Sequence, residues 1–126
     1  MAVKPLLYTA VFLAIAVGIA HSVLGERYIL MRLFRSGNVP PLFGGREFTT
    51  RTLRFAWHLT TIAWWGFAAL FFLLATDSVS SRSVALILAA TFLLTGLITL
   101  LASRGRHLAW PVFVVMGIVA LYATAI

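Results

Sequence analysis

The sequence predicts an all-helical integral membrane protein, a four-helix bundle with both termini on the extracytoplasmic side. Of its 126 residues, 62% are hydrophobic and only 10% are charged, whereas a soluble domain carries about a quarter charged residues. Four apolar stretches each approach the roughly 20 residues that cross a bilayer as a helix. We expect the spans at about 5–24, 54–76, 83–102 and 108–125, all within one membrane domain covering residues 1–126.

Positive charge predicts the orientation of these spans. A long basic loop is expected at about 25–53, and together with Arg54, Arg104 and Arg106 it holds eight of the ten Lys and Arg residues. Only Lys4 and Arg82 fall on the other side. Because basic loops stay in the cytoplasm, both basic loops should face inward. The net charge of +7 is then explained by contact with anionic lipid headgroups, and no nucleic-acid partner is expected.

Within the long loop, residues 25–35 mix arginines with large apolar side chains, which predicts that the first span continues as a helix along the interface. The string GNVPPLFGG that follows is typical of a turn, because proline and glycine pairs break helices. Thr49 or Thr50 is then a suitable N-cap for the second span.

Three histidines are predicted to reach one level of the membrane, at the cytoplasmic ends of the helices. His21 lies four residues before Gly25, and His58 lies four residues after Arg54. Four residues of helix correspond to about 6 Å of depth, so the two histidines should be equally deep. His107 opens the last span at the same face.

This convergence suggests a cofactor site, because imidazole is a common ligand of transition metals. One possibility is zinc, copper or iron held by the three histidines and Glu26. The other is haem b, with His21 and His58 as axial ligands and Arg54 beside the propionates. The sequence has no HxxxH or HExxH spacing, and the absence of cysteine excludes thiolate ligands. Predicted metal ligands are His21, His58, His107 and Glu26, and predicted cofactor-binding residues are His21, His58 and Arg54.

Two other functions remain open. In a cofactor-free accessory protein, scaffold or homo-oligomer, the histidines would bond to loop carbonyls or Glu26, and the arginines would hold anionic lipid. A lipid transporter or enzyme would need an ionisable residue near the midplane or a pair of nucleophile and base. We assign no catalytic residue, because Ser22 is adjacent to His21 and neighbouring positions on a helix do not face each other.

The first span carries small residues on the face of His21. Ala14, Gly18, His21 and Gly25 are spaced four, three and four apart, so they share one stripe that faces protein. Small residues let two helices approach closely, although the two glycines could also leave room for a flat cofactor. On the second span, Arg54 could pair with a lipid phosphate, a haem propionate or Glu26.

The strings HSVLGERYI, RTLRFAWHLT and RGRHLAWPVF resemble those of a group of small, uncharacterised bacterial membrane proteins with four spans. The resemblance would cover most of the chain. It implies a multi-pass protein of the bacterial cytoplasmic membrane, and it carries no activity, cofactor or catalytic residue with it.

Overall fold

The computed structural model describes residues 3–125, which form four helical segments joined by short connections. Helix α1 (Val3–Leu24) continues through a π-helical turn (Gly25–Leu30) into α2 (Met31–Arg35). A loop at 36–45 follows, containing an isolated bridge between Leu42 and Gly45. The remaining helices are α3 (Arg46–Ala75), α4 (Ser81–Ser103) and α5 (Ala109–Tyr122).

Three of these segments are long and apolar enough to cross a membrane: Val3–Arg35, Arg46–Ala75 and Ser81–Ser103. The fourth, α5, has 14 residues. It is therefore about 21 Å long, less than the roughly 30 Å of a hydrocarbon core. The span expected at 108–125 is thus shorter than predicted, because the helix ends at Tyr122, and Ala123 and Thr124 form a turn, with Thr124 N bonded to Leu121 O at 3.0 Å.

The long loop expected at about 25–53 is mostly helix. The first span continues as far as Arg35, as its sequence predicted, and α3 begins at Arg46, about two turns before the predicted start of the second span. The early turns of α3 are polar, so apolar composition alone placed the start of the helix too late. Thr49 is not the N-cap, which is Gly45. Its hydroxyl instead donates to Pro40 O (2.8 Å) and accepts from Leu42 N (3.1 Å), tying the loop to the helix.

The helices pack in the order of the chain, α1 on α3, α3 on α4 and α4 on α5. Within residues 3–125, α1 has no extensive contact with α4 or α5, so the four segments form an open row. Small residues allow close contact between neighbours. A Cβ atom built on these glycines would lie under 3 Å from the next helix: Gly66 (2.7 Å from Thr91 Oγ1), Gly96 (2.9 Å from Val114 Cγ2) and Gly117 (2.6 Å from Leu93 Cγ).

Candidate functional site

Helices α1 and α3 are antiparallel, and their facing residues meet in a regular register. Lys4 pairs with Asp77 at one end, and Glu26 pairs with Arg54 at the other. Between these ends, residues spaced three and four apart share one face of each helix. The register along that face brings together Ile15 with Trp65, Gly18 with Thr61, and Ser22 with His58.

The end of this interface that lies near the arginine-rich loops holds a chain of polar side chains, here called the polar relay. Arg54 Nη2 is 3.0 Å from Glu26 Oε1, and the other carboxylate oxygen, Oε2, is 3.4 Å from His58 Nε2. His58 Nδ1 is 2.9 Å from Ser22 Oγ, which is in turn 2.7 Å from Thr61 Oγ1. Hydrogen bonds thus join Glu26, His58, Ser22 and Thr61, and an ion pair adds Arg54 to this chain of contacts.

The Glu26 carboxylate determines which ring nitrogen of a neutral His58 carries the proton. An ionised carboxylate only accepts hydrogen bonds, and a neutral imidazole has one N–H donor and one acceptor. The proton is therefore assigned to Nε2, which donates to Glu26, and the lone pair of Nδ1 faces Ser22. Ser22 then donates its hydroxyl proton to His58. The single hydroxyl proton of Thr61 serves either Ser22 Oγ or the Gly18 carbonyl, which is 3.1 Å away.

His21 makes different contacts on α3. Its ring stacks on Trp57, with centroids 4.4 Å apart and planes within 2°, and meets Trp64 edge-on at 4.9 Å. His21 Nε2 lies 3.2 Å from Trp57 O and 2.9 Å from Thr60 Oγ1, and Trp57 Nε1 donates to His21 O at 3.0 Å. His21 is therefore held by the backbone and indole of Trp57, apart from the polar relay.

The two glycines beside His21 face tryptophan rings. A Cβ atom on Gly25 would lie 2.1 Å from Trp57 Nε1, and one on Gly18 would lie 2.7 Å from Trp65 Nε1. The space that could have received a flat cofactor is therefore filled by indoles. Close helix packing is the interpretation that fits this stripe.

His107 lies at the start of α5 and has a capping role. Its Nδ1 accepts from Ala109 N at 3.2 Å, which satisfies one of the free N–H groups of the first turn. Its ring meets Phe55 edge-on at 5.2 Å and lies 6.2 Å from Phe48. These contacts direct His107 to the opposite side of α3 from α1.

The predicted metal site is not supported by this geometry. Among residues 3–125, no group of three or more His, Asp or Glu side chains is close enough to hold a metal ion. Of the predicted residues, the structure joins His58, Glu26 and Arg54, and it gives His21 and His107 other partners. His21 and His58 lie at neighbouring levels of the α1–α3 interface, since His58 meets Ser22, but level along a helix does not fix the direction in which a side chain leaves it.

His58 lines two cavities. One, the arginine cavity, has a volume of 640 Å³ and lies between α3 and α4. The other, the serine cavity, has a volume of 520 Å³ and lies beside α1 and the π-helical turn. The arginine cavity is lined by Glu47, Thr50, Arg51, Arg54, Phe55, His58, Ile98 and Ala102. The serine cavity is lined by Ser22, Val23, Glu26, Arg27, Met31 and His58.

Sequence reasoning missed the contact of Ser22 with His58. The signal was the spacing of polar residues on the two helices: Ser22 and Glu26 are four apart on one, and Arg54 and His58 are four apart on the other. Antiparallel helices in register bring such pairs together. Comparisons with protein-family models, curated proteins and solved structures find no match, so function is inferred from the site itself.

Proposed function

We propose that this protein is an integral protein of a bacterial cytoplasmic membrane and binds the headgroup of an anionic lipid in the arginine cavity. The observation that carries the proposal is the composition of that cavity. Arg51 and Arg54 line it together with His58, and Phe55 and Ile98 supply apolar walls. An amphiphile with an anionic head and an acyl chain matches both kinds of wall.

The guanidinium groups have donors to spare for a ligand. Arg51 contacts Glu47 Oε1 through Nε at 3.0 Å and Nη2 at 2.7 Å, and its Nη1 lies 3.4 Å from Ala102 O, which leaves two of its five N–H groups for a ligand. A guanidinium carries five N–H donors in a planar fork, which suits phosphate and carboxylate oxygens. Glu47 is 68% exposed, so its carboxylate can turn outward when an anionic headgroup approaches.

The arrangement of the chain supports the orientation expected from the sequence. The ion pairs of Glu47 with Arg51 and Arg104 bring the start of α3 to the end of α4. The α2 segment and the loop at 36–45 lie at this same end, because α1 and α3 are antiparallel. In a bacterial membrane, such a concentration of arginines faces the cytoplasm, where anionic headgroups attract it.

Native mass spectrometry of the protein, extracted into detergent and mixed with phosphatidylglycerol or phosphatidylcholine, tests the proposal. We expect phosphatidylglycerol to bind preferentially and Arg51→Gln to weaken its binding about tenfold, since a charge-assisted hydrogen bond contributes roughly 1.5–3 kcal/mol. The matched control is Arg82→Gln at the start of α4, at the other end of the molecule, which should leave binding unchanged. Equal binding of the two lipids, or equal effects of the two substitutions, would refute the proposal.

A second candidate, a cofactor-free accessory protein or scaffold, is favoured by the histidine contacts. Each histidine has a ring nitrogen in hydrogen-bond contact with a group of the same chain: His21 with Thr60, His58 with Ser22 and His107 with Ala109. Such histidines stabilise the fold without a ligand. The same lipid measurement separates the candidates. A scaffold whose arginines hold anionic lipid by charge alone predicts equal losses in Arg51→Gln and Arg82→Gln, whereas a site in the arginine cavity predicts a loss in Arg51→Gln only.

A further inference from the structure

We propose that the serine cavity is an acyl-transfer site in which Ser22 is the nucleophile and His58 the general base. Glu26 is a positioning residue, which acts through His58. The substrate class is a carboxylic ester of an amphiphile. This activity goes beyond lipid binding in the arginine cavity and uses a different cavity.

The geometry meets the requirements for an activated serine. Such a nucleophile needs a base within about 2.6–3.2 Å and a third group that orients the base. Ser22 Oγ is 2.9 Å from His58 Nδ1. Glu26 Oε2 is 3.4 Å from His58 Nε2, and Arg54 holds the other carboxylate oxygen at 3.0 Å. Serine, histidine and a carboxylate recur in these roles on unrelated folds, where geometry rather than sequence order identifies them.

The proton positions match those roles. With Nε2–H donating to Glu26, the lone pair of His58 Nδ1 points to the hydroxyl proton that must be removed. Thr61 Oγ1, 2.7 Å from Ser22 Oγ, can donate to the serine oxygen and fix its direction. A serine whose hydroxyl merely satisfied the helix backbone would point back along its own helix, whereas Ser22 reaches across to α3.

The serine cavity also suits an ester. Val23 and Met31 provide apolar walls for an acyl chain, and Arg27 lines the same cavity while its guanidinium lies over the Tyr28 ring. Ser22 lies one turn, about 6 Å, from Glu26 along the helix, between the charged end of α1 and its apolar part. Lipid esters join a polar head to an acyl chain at a corresponding boundary.

The reaction proceeds in two balanced steps. Ser22 Oγ attacks the ester carbonyl while its proton moves to His58 Nδ1, and the bond from the acyl carbon to the alcohol oxygen breaks as the alcohol takes that proton. Water then attacks the acyl-serine and gives a proton to His58. The bond between the acyl carbon and Ser22 Oγ then breaks, and Oγ takes this proton from His58. The carboxylic acid is released and the starting state is restored.

Labelling of the whole protein in detergent micelles with a fluorophosphonate, followed by peptide mapping, tests the inference. We expect the phosphonyl group on Ser22, and we expect His58→Gln to slow labelling at least about a hundredfold, the range for removal of a general base. The control Ser36→Ala removes an exposed serine that bonds only within its own helical segment and loop, and it should label at the wild-type rate. No label, a label on another serine, or an unchanged rate in His58→Gln would overturn the inference.

Hydrolysis of a short-chain nitrophenyl ester tests the positioning role of Glu26. We expect Glu26→Gln to lower kcat at least about tenfold and to change KM less than kcat, because Glu26 lines the serine cavity but acts on the reaction only through His58. A merely structural role would lower the unfolding midpoint without changing kcat, and that result would overturn the assignment.

Native mass spectrometry of Ser22→Ala with phosphatidylglycerol separates the two proposals. If Ser22→Ala still binds phosphatidylglycerol but no longer takes up the fluorophosphonate, both proposals are supported. The label should be lost whether or not the arginine cavity binds lipid, so failure of one proposal can be told from failure of the other.

Discussion

The α1–α3 and α4–α5 interfaces both close around glycines, but they differ in how their side chains interact. In α1–α3, Gly25 faces the Trp57 indole, and side chains of the two helices form hydrogen bonds across the interface. In α4–α5, Gly117 faces Leu93, and within residues 3–125 no side-chain hydrogen bond joins the two helices. Small residues alone therefore suffice for close packing in this protein. The polar groups of α1–α3 go beyond what packing requires, which is why function is sought there.

The largest expected effect contrasts the two glycines. Gly25→Ala should lower the free energy of unfolding by about 3 kcal/mol and Gly117→Ala by about 1 kcal/mol, the two ends of the usual range for overpacking. The Trp57 ring is fixed by stacking on His21 and by its bond to His21 O. At Gly117 the Leu93 side chain can change rotamer, and only its backbone N, 3.0 Å from the new Cβ atom, must shift slightly. Unfolding by sodium dodecyl sulfate in mixed micelles measures both. Equal costs would show that the two interfaces are equally adaptable.

An intermediate effect contrasts two histidines. His58→Ala should cost about 2 kcal/mol, because it removes one hydrogen-bond partner from Ser22 and one from Glu26 in a partly buried interface, leaving them only Thr61 and Arg54. His107→Ala should cost about 1 kcal/mol, the usual value of a helix cap. The same unfolding experiment measures both variants. A greater cost for His107→Ala would mean that the polar relay adds little to the stability of α1–α3.

The smallest effect concerns ion pairs. A double-mutant cycle with Glu26→Gln and Arg54→Gln should give a coupling energy of about 0.5–1 kcal/mol, since both side chains are partly exposed to solvent. The matched pair is Glu47 with Arg51, four residues apart on α3, whose coupling should be about 0.3 kcal/mol. A larger coupling energy for Glu47 and Arg51 than for Glu26 and Arg54 would contradict the view that packing at the α1–α3 interface holds the Glu26 side chain in place.

Composition and charge predicted much of the architecture. The continuation of the first span to Arg35, the turn after it and the pairing of Glu26 with arginine all agree with the structure. The length of α5 and the early start of α3 did not follow from the sequence. Hydropathy measures how apolar a stretch is and does not mark where a helix begins or ends. Polar residues form the first turns of α3, and α5 ends at Tyr122 although apolar residues continue beyond it.

The sequence by itself predicted a helical chain with four apolar stretches, of which the structure makes three long enough to span a membrane, and it predicted that most of the arginines gather at one end. Those properties depend on transfer free energies and charge, which add up along the chain. Only the tertiary structure decided that His58 meets Ser22 and Glu26, while His21 stacks on Trp57 and His107 caps α5. Helix rotation and register set those partners. The rotation and register of α1 and α3 result from the packing of glycines against tryptophans across their interface. No single stretch of sequence specifies this packing.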